Sequence, residues 1–189
     1  MKSSIKSLVA CLGACGALVS ANAYADGEGF YAELGWASVK LEASVAGASR
    51  SGTPSDAVLR VGYMFNQYVG VEVLGATNVS SATIGGADVK LDSGYGAYVK
   101  GQYEVGSGFE VFGKLGYVNG TVKATSGGQS ASSSDGAFSY AAGVQYAFNK
   151  NWYAQVDYAQ YYDKSTNVFG NRASITARGP SISVGYRFQ

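Results

Sequence analysis

Histidine is absent from this chain of 189 residues, and its two cysteines, Cys11 and Cys15, both lie in the first apolar run. Chemistry that needs an imidazole as base, proton shuttle or metal ligand is thereby removed. If that first run is a cleaved leader, the mature chain has no thiol, hence no disulfide and no cysteine nucleophile. Charged residues make up only 14% of the chain, and lysine plus arginine (14) nearly balance aspartate plus glutamate (13). No basic stripe therefore favours nucleic acid. Beyond the first run, no apolar stretch is long enough for a membrane-crossing helix. Proline occurs only twice, whereas glycine reaches 27 and aromatic residues 13%, including 15 tyrosines. That balance suits many strands and turns, with amphipathic rings left over for membrane interfaces.

Residues 1–25 have the layout of a secretory leader: Lys2 and Lys6, an apolar run over 8–19, and the small-x-small sequence Ala23-Tyr24-Ala25. Cleavage there starts the mature chain at Asp26; the alternative Ala21-Asn22-Ala23 starts it at Tyr24. The segments Leu8-Val9-Ala10-Cys11 and Leu12-Gly13-Ala14-Cys15 look like lipoboxes, but both cysteines sit early in a run that continues past them. The expected organisation is a leader over 1–25 and one domain over 26–189.

The stretch 179–188 shows what kind of domain. Pro180, Ile182, Val184, Tyr186 and Phe188 fall on one face of a period-two strand, and Ser181, Ser183, Gly185 and Arg187 fall on the other. A soluble sandwich would carry mostly charged residues on its polar face, whereas small residues suit the crowded inside of a narrow closed barrel. The aromatic-ended apolar face then looks out at lipid. The same alternation recurs upstream, with Phe30, Leu34 and Trp36 outward against Tyr31 and Glu33, and with Tyr95, Val99 and Tyr103 outward against Tyr98 and Lys100. Tyr95 and Tyr103 are separated by about 20 Å at ~3.3 Å per residue and ~40° of tilt, a spacing that suits two aromatic girdles. Register at 65–73 is decided by cost. A loop of Asn66, Gln67 and Tyr68 puts Val69, Val71 and Val73 on the lipid face and turns Glu72 inward, whereas a loop one residue shorter would expose Glu72 to hydrocarbon. Eight strands result, joined by short turns at one end and by Ser/Gly-rich loops over 42–56, 77–89, 124–136 and 163–174 at the other. The predicted fold is all-β: an eight-stranded antiparallel transmembrane up-and-down β-barrel.

Its inward charges, in strand order, are Glu33, Arg60, Glu72, Lys100, Glu110, Lys114, Asp157 and Arg187, with Gln145 among them. Signs nearly alternate, and a barrel this narrow must pair such charges. The expectation is a structural ion-pair network, with Glu72 and Glu110 the candidate partners of Lys114. Functional alternatives are an ion path or an acid/base pair.

The terminal Gly185-Tyr186-Arg187-Phe188 and the segment Phe112-Gly113-Lys114-Leu115-Gly116-Tyr117 resemble the small outer-membrane barrels of the OmpA, OmpX/Ail and opacity-protein type over residues 29–188, although this chain ends on Gln189 rather than on the Phe. The resemblance implies a Gram-negative outer-membrane location, lipid contact, and a final strand (Ile182, Val184, Tyr186, Phe188) read by the barrel-assembly machinery. It also implies a structural or adhesin-like role in which the loops engage a host or surface ligand. The alternative is a narrow OmpW-like pore for small or apolar solutes. Enzymes on comparable barrels use an essential histidine, so no catalytic activity and no cofactor are expected. The near match to a phosphate loop at Gly108 to Lys114 lacks the Ser or Thr that would hold magnesium and lies along an alternating strand. Gly94-Tyr95-Gly96 likewise opens no dinucleotide fold.

Overall fold

The computed structural model describes residues 28–45, 48–84, 87–126, 129–168 and 171–188. The expected leader and Gln189 lie outside them. Every regular element among the described residues is a strand, and the strands form eight staves. The first stave is β1 (Gly29–Ser38) continued past Val39 by β2 (Lys40–Val45), and the second is β3 (Ala48–Gly52) continued past Thr53 and Pro54 by β4 (Ser55–Met64). The third is β5 (Val69–Ser80) followed by β6 (Ala82–Ile84). The remaining five are β7 (Ala87–Gly106), β8 (Phe109–Ser126), β9 (Gln129–Ala147), β10 (Trp152–Val168) and β11 (Asn171–Phe188). Neighbours pair antiparallel in chain order, and β1 closes on β11 from Phe30↔Phe188 to Ala37↔Ser181. Among the described residues, β1, β4, β5 and β7 to β11 each have a ladder partner on both sides, so the closed part of the wall leaves no edge to hydrogen-bond lipid, which is the condition for crossing a bilayer with strands.

Side chains alternate across this wall, interrupted by register shifts at 55–56, 91–93, 104–106 and 160–162. On β1, Leu34 is 66% exposed while its neighbour Glu33 is 1% exposed. Two of the three short turns are built alike, whereas the third uses positive φ at Gly106, Ser107 and Gly108. Asn66 Oδ1 accepts the Tyr68 and Val69 amides at 2.8 and 2.9 Å, and Asn149 Oδ1 accepts the Asn151 and Trp152 amides at 2.9 and 2.8 Å. Phe65 N–H then reaches the Val69 carbonyl at 2.9 Å, which fixes the three-residue loop and sends Glu72 inward. An edge-to-face aromatic belt surrounds this end: Phe30–Tyr63, Trp152–Tyr186 and Tyr186–Phe188 have ring centroids 4.8, 5.0 and 5.0 Å apart.

At the opposite end the structure departs from the sequence reading. The segments expected as loops are largely strand, with β8 and β9 paired all the way to Ser126↔Gln129 and β10 and β11 to Val168↔Asn171. Strands of 17–20 residues rise about 45 Å at ~3.3 Å per residue and ~40° of tilt, against an apolar band of ~25 Å. Paired strand therefore projects well beyond the membrane.

Candidate functional site: the lumen

Seven of the inward charges are buried in the lumen, and Arg187 lies at the short-turn mouth with its side chain 22% exposed. Glu72 on β5 accepts Lys114 Nζ from β8 on both oxygens, at 2.9 and 2.7 Å, and the Tyr31 hydroxyl at 2.9 Å. Glu33 on β1 accepts the Tyr153 hydroxyl and Gln155 Nε2, both at 2.8 Å. Arg60 on β4 spans the lumen. It donates to Ser183 Oγ at 2.7 Å and Ser181 Oγ at 3.0 Å, and lies 3.5 Å from Glu33 and Asp157 and 3.7 Å from Glu72. Ser181 Oγ in turn donates a hydrogen bond to Asp157 Oδ1 at 2.7 Å. Towards the mouth, Lys100 donates to Gln145 Oε1 at 3.0 Å, Gln145 donates to Glu110 at 2.7 Å, and Arg187 donates to Glu110 at 2.6 Å.

The network is thus neutral: Arg60, Lys100, Lys114 and Arg187 balance Glu33, Glu72, Glu110 and Asp157. Of the two partners considered for Lys114 from sequence, Glu72 is bonded to it, while Glu110 is taken by Arg187 and Gln145. Aromatic faces cover the cations. Lys100 Nζ lies 4.9 and 5.0 Å from the Tyr31 and Phe112 ring centroids, and the Arg187 guanidinium lies 5.0 Å from the Tyr153 ring.

By period-two alternation Tyr31, Tyr153 and Gln155 fall on the inward face, but the alternation assigns them no partners and marks Ser181 and Ser183 only as small. The signal available was their shared face with the charges, because a buried carboxylate needs more donors than its counter-ion alone supplies. Towards the projecting end, a buried apolar layer of Ala37, Val39, Val58, Leu74, Tyr98 and Ala177 caps the network. Chemically, Glu33, Glu72, Glu110 and Asp157 are each committed to two or more donors or cations, and no group of three or more acidic or cysteine ligands among the described residues could hold a metal ion.

Comparison with known proteins agrees with this geometry. Residues 7–188 match the family described as outer membrane protein β-barrel domain. No curated protein matches the sequence. Among solved structures, the outer membrane protein OprG from Pseudomonas aeruginosa is similar at TM-score 0.64 and 19% identity, over 86% of this chain and 96% of that one. Neisserial surface protein A is similar at TM-score 0.54 and 19% identity, over 81% and 96%. The N-terminal barrel of Pseudomonas aeruginosa OprF is similar at TM-score 0.50 and 11% identity, over 84% and 98%. At these identities the likeness concerns the fold. With a family match spanning nearly the whole chain, this protein belongs to the outer membrane protein β-barrel domain family and resides in the outer membrane of a Gram-negative bacterium.

Proposed function

We propose that this protein is a closed barrel whose role is carried by its projecting extracellular hairpins, as a structural element and as a surface that engages a host or surface ligand. The observation that carries this reading is the height of the wall. Spanning the bilayer takes about ten residues per strand, yet β7 to β11 run 17–20. Ordering the extra residues costs conformational entropy that membrane insertion does not require. The neutral plug below supports the same reading, because an ion entering it must displace buried, mutually bonded charges. No catalytic role is proposed. Residues 1–25 act in this reading as a cleaved leader, and the outward row Ile182, Val184, Tyr186 and Phe188 as the signal for the barrel-assembly machinery.

A second reading, a narrow path for small apolar solutes, is favoured by one observation: Val39, Val58, Leu74 and Tyr98 form an apolar cluster in the lumen above the plug, beside the buried Asp56 and Ser139. Planar-bilayer conductance and solute uptake into liposomes separate the two. A closed surface barrel gives neither ion current nor uptake, whereas uptake of an apolar solute would replace the first reading by the second.

A further inference from the structure

Two like-charged pairs face outward beyond the girdle, on opposite flanks of the barrel. On the seam between the first and last staves, Lys40 on β2 stands directly opposite Arg178 on β11. Glu42 bridges them, at 2.6 Å to Lys40 and 3.0 Å to Arg178. The hydrogen bond and charge of Lys40, with those of Arg178, hold the Glu42 carboxyl below its usual range. That repulsion is already answered within the chain. On the far flank, Lys90 on β7 stands directly opposite Lys123 on β8. Lys123 shares the face of Leu115 and Tyr117, which are 59% and 58% exposed, so both lysines point away from the lumen. Among the described residues neither lysine has an ion-pair partner, and like charges directly opposite on a sheet destabilise it.

Beneath this second pair lies a groove of about 470 Å³ in the lipid-facing wall. It follows a row of directly paired residues across four junctions, Phe30↔Tyr63, Tyr63↔Val71, Val71↔Val99 and Val99↔Leu115, and its lining includes Ala97, which stands directly opposite Tyr117. Its far end at Leu115 is on the same strand as Lys123, eight positions below it, or about 20 Å at ~3.3 Å per residue and ~40° of tilt. An acyl chain has that reach, and an anionic headgroup supplies the charge that Lys90 and Lys123 lack.

We propose that the outer wall over β7 and β8 binds a phosphorylated lipid of the outer leaflet, with Lys90 and Lys123 holding a phosphate and the Ala97–Leu115 groove taking an acyl chain. The bridged Lys40–Arg178 pair supplies the internal control. The test uses the full mature chain refolded into phosphatidylcholine vesicles, alone or with bisphosphorylated lipid A, with the same lipid stripped of phosphate, or with free inorganic phosphate. The thermal midpoint is read by heat-modifiable gel migration. The expected result is a rise of a few degrees with the phosphorylated lipid only, reduced by high salt, abolished in Lys90→Gln/Lys123→Gln, weakened in Ala97→Leu and kept in Lys40→Gln. An equal rise in the double variant overturns the site, as does an equal rise with the dephosphorylated lipid. A rise with inorganic phosphate alone reassigns the pair to a free anion and overturns the lipid. If the double variant fails to insert, the salt dependence and the Ala97→Leu comparison in otherwise unmodified chains decide.

Discussion

Lys114 holds Glu72 by two hydrogen bonds in a place where both side chains are at most 3% exposed. Removing one partner of such a pair strands the other, at a cost of about 3–5 kcal/mol, whereas removing both charges can be nearly neutral. Lys114→Met is therefore expected to lower the unfolding free energy in urea by that order, and Lys114→Met/Glu72→Gln to recover part of it. A double variant no more stable than the single would show that the two are not coupled. On β9, Val144 faces lipid, so Val144→Arg should cost about 2–4 kcal/mol if it lies near the midplane. From sequence, Gln145→Arg is expected to be better tolerated than Val144→Arg because the position faces a polar interior. The structure changes that expectation: Gln145 accepts from Lys100 and donates to Glu110, so an arginine there would set a second cation against Lys100. Both variants should impair folding, and a Gln145→Arg barrel as stable as the parent would place that side chain outside the network. Period-two alternation thus made facing legible at nearly every membrane position. Partner identity was not legible, because the stagger of a closed barrel decides which inward side chains share a level.

At the scale of strands, the lumen is made to close by pairing four inward aromatics each with a glycine directly across: Tyr31↔Gly62, Tyr98↔Gly116, Phe112↔Gly143 and Tyr153↔Gly185. A Cβ added at Gly62 or Gly185 would meet the Tyr31 or Tyr153 ring itself. Those rings cannot swing away without giving up their hydrogen bonds to Glu72 and Glu33. Gly185→Val should therefore prevent folding into the heat-modifiable form or strongly destabilise it. Gly75→Val, at a site where an added Cβ meets nothing within 4 Å, should be tolerated. Equal behaviour of the two would refute the packing account. The glycines were visible in the sequence only as small inward residues. The projecting hairpins were misread as loops for a physical reason: runs such as Ser130-Ala131-Ser132-Ser133-Ser134 carry neither alternation nor β-branched side chains. What extends the strands is the backbone ladder handed up from the membrane-embedded pairs, a tertiary influence that local composition does not encode.

For the whole molecule, the division between a sealed wall and a projecting crown makes the two parts separable. Barrel stability rests on closed pairing and lipid contact, which end near the girdle. The register supplies clean cuts: Lys123 pairs with Ser132, and Ser165 pairs with Ser174. Replacing residues 124–131 and 166–173 each by Asn-Gly leaves two-residue hairpin connections with the strands still in phase. This shortened barrel should insert, migrate in the heat-modifiable manner and remain electrically silent in a planar bilayer, because the network from Arg60 to Arg187 lies below both cuts. Attachment of cells displaying it to the surface or host ligand should fall relative to cells displaying the full chain at equal abundance. A shortened barrel that conducts would mean that the crown, and not the ion-paired layer, closes the lumen. Attachment unchanged by these cuts and by matching cuts at the other two hairpins would remove the crown from the binding role and leave the barrel wall as the part that acts.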